Sequence, residues 1–208
     1  MNFPAKAISR ERWHLAPGLV PGSIASRNET GYRSHVMNSR ETVRVLGIDP
    51  GVRAVGYGVI DAQGRDARLV AAGTIETDSN DSFPQRLLTI HRGIEEVIAK
   101  YKPHRMACEK LVYHRNVSIA LALGQARGAA IVAGAQADLP MDEFSPTEIK
   151  NAVVGKGRAG KSQVQKMVQL LLGLPEPPES EHAADALAAA LTYVHSRIMK
   201  EIWSRGRR

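Results

Sequence analysis

The chain has 208 residues, 43% hydrophobic and 24% charged, which suits one ordinary globular domain with a real core. A formal net charge of +7 and a pI near 9.8 point to a polyanionic partner. No apolar run approaches the roughly 20 residues that span a bilayer, so no membrane is expected among the partners. The single cysteine, Cys108, excludes a disulfide framework and fits a reducing cytoplasm, where it reads as a small buried hydrophobe.

Residues 1–41 lack periodicity and are punctuated by Pro4, Pro17, Pro21 and several glycines, so a disordered extension is expected. Residues 1–40 hold six basic and two acidic side chains (Glu11, Glu29), so the rest of the chain is only modestly basic. Local clustering of charge must therefore carry the argument. The extension has no secretory signal core. Met37 is a candidate translation start that would give a tidy domain, and an organelle transit peptide is the competing reading.

A single domain is expected over 42–200, followed by a basic tail at 201–208. TVRVLGID, AVGYGVIDA and ARLVAAGTIET read as three strands joined by tight turns. Ser82 and Pro84 open a helix with Leu87, Ile90, Ile94, Val97, Ile98 and Tyr101 on one face. HRMACEKLVY reads as a fourth strand, 118–137 as an Ala/Gly-rich helix, and PMDEFSP as a short fifth strand. Helices over 147–153 and 160–172 flank a glycine-rich loop, and a last helix starts near Glu181. Three meandering strands followed by alternating helices and strands make an α/β domain with a mixed five-stranded sheet.

The loop GKGRAGKS, Gly155 to Ser162, satisfies the phosphate-loop pattern of ATPases and GTPases. Its context does not. The preceding PTEIKNAVV reads as a helix rather than a strand, and the 46 residues after Ser162 leave no room for the remaining parallel strands. ATP is therefore not expected as a ligand. Between Ile149 and Pro175 stand Lys150, Lys156, Arg158, Lys161 and Lys166 with no acid. Such a run is often a plain solvated face. Here glycines and a helix N-terminus favour close approach to nucleic-acid phosphates.

Three carboxylates interrupt apolar segments: Asp49 in LGIDPG, Glu109 between MAC and LVY, and Asp185 in HAADALAAAL. Near a core, such groups need a partner or a metal. Each has a bland alternative as turn residue, open-face residue or solvated helix start. Together they can converge, and His182 lies three residues from Asp185 on the same helical face. Clustered carboxylates suit Mg2+ or Mn2+, and two such ions about 4 Å apart support phosphodiester hydrolysis.

GIDPGVRAVGYGVI, ACEKLVYHRN, LGQARGAAIVAG, KNAVVGKGRAGKSQVQKMV and HAADALAAAL, in this order, resemble the RuvC Holliday junction resolvases over 42–196. The resemblance implies a ribonuclease H-like fold and a symmetric homodimer. It implies Mg2+-dependent paired nicking of like-polarity strands at a four-way DNA junction, with two ions per site and Mn2+ able to substitute. RuvA and RuvB are the implied partners in a bacterial cytoplasm. The acidic site carries over onto Asp49, Glu109 and Asp185, with His182 at the fourth position either as ligand or as the group that orients or deprotonates water. Lys150 and Lys161 correspond to DNA-contacting lysines, with Lys156 and Arg158 in the same run. Where the family places a stacking aromatic, this chain has Val112, leaving the adjacent Tyr113 to stack on DNA. The Ala/Gly helix is the candidate for dimer contacts, or else an internal core helix. A junction-binding protein without catalysis and a sugar-kinase fragment are the alternatives; the intact acidic set opposes the first and the short chain the second.

Overall fold

Period-two alternation along the first strand orients the whole sheet. In β1 (Val43–Asp49), Val43 and Val45 belong to one buried cluster, and Leu46 and Ile48 to the other. Gly47 and Asp49 therefore share the face of the two valines. The computed structural model describes residues 41–111 and 116–205. The expected extension and the Met37 start lie outside the described residues, apart from Glu41.

β1 pairs antiparallel with β2 (Ala54–Gln63), which pairs antiparallel with β3 (Asp66–Glu76). On the other side, β1 pairs in parallel with β4 (Arg105–Glu109), and β4 with β5 (Met141–Phe144). The order is β3-β2-β1-β4-β5, the mixed five-stranded sheet expected. Cross-strand Arg44 clamps Asp61 with two 2.7 Å bonds, which holds the Asp61 carboxyl below the usual range.

One face of the sheet is covered by α1 (Phe83–Tyr101) and α2 (Val117–Gln136), the other by α5 (Glu181–Arg205). α1 starts where Ser82 caps it, its amide bonded to the Gln85 side chain at 3.0 Å, and it buries Ile90, Ile94 and Val97. α5 is buried nearly all round from Ala183 to Val194. Its outer side is packed by α3 (Pro146–Val154) and α4 (Lys161–Leu171).

Three differences from the sequence reading have physical causes. The fourth strand stops at Glu109, because its ladder with β5 ends at the Glu109–Phe144 pair and Leu111 is exposed. α5 runs on to Arg205, so residues 201–205 are helical rather than part of a tail; IMKEIWSR contains neither glycine nor proline to stop it. α2 is long and apolar enough, by length and composition, to match a membrane span. Valine, isoleucine, leucine and alanine supply that hydropathy around Gln125 and Arg127, and Ala126, Ala130 and Ala133 are buried on the domain's own core.

Candidate active site

Strand polarity and alternation place the acidic residues together. Ala107 lies in the cluster beneath α5 while Met106 and Cys108 lie in the opposite one, so Glu109 shares the α5 side with Asp49. The parallel strands β1 and β4 pair Ile48 with Cys108, and the two carboxylates stand one residue beyond, at the same end of the sheet. Asp185 approaches from the N-terminal part of α5.

Glycines set how closely that helix approaches. A Cβ on Gly47 would lie 1.9 Å from the Ala186 carbonyl oxygen, and one on Gly56 2.0 Å from that of His182. Gly56 is the cross-strand partner of Asp49. This contact seats His182 against the end of β1, where its Nδ1 is 2.7 Å from Asp49 Oδ2.

The electrostatics show three acids sharing one desolvated pole. Glu109 is pushed up to about 7 by burial first, then by Asp49 and Asp185, against the pull of Lys150 and Lys161. Asp49 is raised by burial despite its bond to His182, and Asp185 by burial and then Asp49. Lys161 opens α4 and lies 3.9 Å from Asp185 and 3.4 Å from Glu181, and Asp185 keeps its ammonium charged.

The four expected ligands meet at one pole, and Lys161 provides the positive charge beside Asp185. Among the described residues no three His, Cys, Asp or Glu side chains stand in metal-holding geometry. The donor set nonetheless fits a hard divalent cation: three oxygen donors, desolvated, each holding positive charge more tightly than a free carboxylate.

In metal-free protein the folded state binds the Glu109 proton more tightly than the unfolded chain does. Stability from this group is therefore present at low pH and lost as pH rises from 4.5 through about 7. Glu109→Gln is expected to raise the metal-free Tm by a few degrees near about pH 8 and to leave it unchanged below about pH 4. Thermal melts across that range check it, and a Tm difference that does not depend on pH would contradict it.

GKGRAGKS joins α3 to α4. Gly155 caps α3 with φ 76°, and the Gly160 amide that opens α4 bonds the Gln163 side chain at 3.0 Å. A nucleotide cradle follows a strand; this loop follows a helix. Lys156 and Arg158 are exposed on it, and Lys150 lies on α3 within electrostatic reach of Glu109. Tyr113 lies outside the described residues. His91 bonds Gln136 and Glu95, and His195 the Ala152 carbonyl, so both are structural. Cys108 is fully buried, its thiol pushed up to about 11 by burial.

Glu181 and Arg127 were not among the expected site residues. Glu181 faces Lys161; its signal is a second acid one turn before Asp185. Arg127 bonds the Glu109 carbonyl; its signal is that it is the sole charge in α2. A cleft of about 460 Å3 between α1 and β3, lined by Tyr57, Thr74, Arg92, Glu96 and Lys100, lies on the opposite face of the sheet.

A mixed sheet with carboxylates from β1, β4 and the helix laid across it defines a ribonuclease H-like hydrolase acting on DNA. Residues 45–193 match the family model for crossover junction endodeoxyribonuclease RuvC. The chain belongs to the RuvC family. It is 53% identical over 152 residues to the enzyme of Shewanella loihica, covering 73% of this chain and 87% of that one. To that of Geotalea uraniireducens it is 48% identical over 157 residues, covering 76% and 91%. Thermus thermophilus RuvC, solved in complex with a Holliday junction substrate, superposes with a TM-score of 0.73 at 36% identity, covering 76% of this chain and 96% of that one. The yeast mitochondrial Holliday junction resolvase shares the fold, with a TM-score of 0.57 at 14% identity over 78% and 82%.

Proposed function

We propose that this chain resolves four-way DNA junctions in recombination and repair, by paired, symmetric nicks in strands of like polarity. The observation that carries the reading is the convergence of Asp49, Glu109 and Asp185 beside Lys150 and Lys161. Mg2+, two ions per site, is the cofactor of this reading, with Mn2+ able to replace it. Asp49, Glu109 and Asp185 would hold the metal, which supplies an activated water and charge stabilisation at the leaving oxygen.

His182 Nδ1 is engaged by Asp49, which fixes the ring and leaves Nε2 to orient the water or take its proton. Its exposure of 48% keeps that nitrogen within reach of substrate. Lys161, Lys150, Lys156 and Arg158 neutralise strand phosphates on either side of the scissile bond. Tyr113 stacks on a base at the junction centre. The working unit is a homodimer with two such sites, with α2 carrying the dimer contacts through exposed Val117, Leu121 and Val132. RuvA and RuvB are the partners that would deliver the junction in a bacterial cytoplasm.

The direct test is a synthetic four-way junction beside linear duplex, with and without Mg2+. Paired nicks confined to the junction and to the Mg2+ lanes are expected; equal cutting of duplex would refute structure selectivity. Lys161→Ala is expected to weaken junction binding and lower the salt slope of log K by about 1. An unchanged slope would remove Lys161 from the phosphate contacts. Deleting residues 1–36 should leave folding and junction cleavage intact, measured on the Met37-initiated chain; loss of either would make the extension part of the enzyme.

A further inference from the structure

α2 carries a single charge, Arg127, and its side chain is only 18% exposed. Burying a side chain this far requires defined partners, and it has three, one of them the Cys108 sulfur. Its terminal nitrogen pairs with Glu143 on β5, while Nε donates to the Glu109 carbonyl at 3.4 Å. The Lys110 amide, which belongs to the same peptide group as that carbonyl, donates to Phe144 O at 2.8 Å. The peptide after Glu109 is therefore gripped at its oxygen by α2 and at its nitrogen by β5. Since Glu143 immediately precedes Phe144, both grips lead back to two consecutive residues of one strand.

From this geometry we infer that Arg127 is a positioning residue for Glu109. β4 ends at Glu109, and beyond it no ladder fixes the chain. The orientation of the Glu109 peptide, and with it the direction of its carboxylate, rests on Arg127 Nε and Phe144 O. A tether of α2 to β5 needs only the ion pair with Glu143. The Nε bond does something further, because it ends on the backbone of a catalytic carboxylate. Groups that orient a metal ligand typically change metal affinity or activity by about 10- to 100-fold when removed.

The inference rests on the nuclease reading of Glu109, and its test separates the two. Full-length Arg127→Gln and Arg127→Lys are compared by Mn2+ calorimetry, thermal melting, junction binding and single-turnover cleavage of prebound four-way junction. Arg127→Gln is expected to lose about tenfold or more in Mn2+ affinity and about 10- to 100-fold in cleavage rate, with junction Kd within about twofold. Lysine restores the ion pair to Glu143 but cannot serve the Glu109 carbonyl as well. Arg127→Lys should therefore recover the Tm while Mn2+ affinity and rate stay low.

Wild-type Mn2+ affinity and rate in both variants would overturn the inference. So would a lysine variant that recovers all properties together, which is the signature of a plain tether. Should Arg127→Gln fail to fold, Glu143→Gln loosens the guanidinium in place, and the same split between Tm and Mn2+ affinity is read there. If wild type binds Mn2+ but leaves the junction uncut, the nuclease reading fails. The Mn2+ measurement still decides the role of Arg127.

Discussion

Asp49→Asn, Glu109→Gln and Asp185→Asn are each expected to reduce junction cleavage by about 1,000-fold or more, while junction binding is kept. Each replacement keeps the side chain's size and removes a negative charge that would hold the cation in the proposed reading. Binding should be unchanged or a few-fold tighter, because strand phosphates then approach a pole with one fewer carboxylate. Groups acting as a unit are not additive, so the Asp49→Asn, Asp185→Asn double variant should be no slower than the slower single one. His182→Ala should cost less, since only water orientation or proton transfer is lost, typically about 100-fold or more. Single-turnover cleavage and gel-shift titration on one junction measure both quantities. Cleavage within about tenfold of wild type in Asp49→Asn would remove β1 from the chemistry.

The three carboxylates were legible because each breaks an apolar pattern, and an acid in a strand or packed helix needs a physical reason. The same logic applies to a lone base in an apolar helix, and Arg127 in LGQARGAA is that case. Periodicity reveals faces along one element; the Arg127 contact joins three elements distant in sequence. Lys161 read as a phosphate contact from its glycine-rich surroundings. Its approach to Asp185 and Glu181 was not legible, because it depends on α4 lying alongside the start of α5. In the proposed reading, phosphates that reach Lys161 would compete with Asp185 and Glu181 for it.

For the fold, strand alternation and the helix start at Ser82 and Pro84 mark their elements locally, and the bounds of β1, β2, β3 and α1 agree with the structure to within a residue or two. The end of β4 was misplaced because KLVY has strand composition, and composition does not reveal where a partner strand stops. α5 outran its apolar core for a related reason. A helix ends where a stop signal stands, and none occurs between His195 and Arg205.

Gly47→Ala is expected to be among the most damaging single-methyl additions in the protein. The new Cβ would sit 1.9 Å from the Ala186 carbonyl oxygen and 2.9 Å from the Ala190 amide nitrogen, both backbone atoms of α5. Backbone cannot rotate aside as a side-chain tip can, so α5 would have to lift off β1 along most of its buried length. Overpacking a rigid contact costs about 1–3 kcal/mol and more where backbone must move. About 3 kcal/mol corresponds to a Tm lowered by roughly 6–12 °C in a domain of this size. Gly56→Ala meets the His182 carbonyl at 2.0 Å instead. It should add a loss of cleavage, because the backbone it displaces carries the histidine that holds Asp49. Gly160→Ala, where a Cβ meets nothing within 4 Å, gives the contrast. As an exposed helix N-cap it should cost under about 1 kcal/mol. Melting curves of the three variants, with cleavage assayed well below each Tm, separate lost packing from lost alignment. A Gly47→Ala protein melting within about 2 °C of wild type would mean that the helix does not rest on β1 at the separation that brings Asp185 to Asp49.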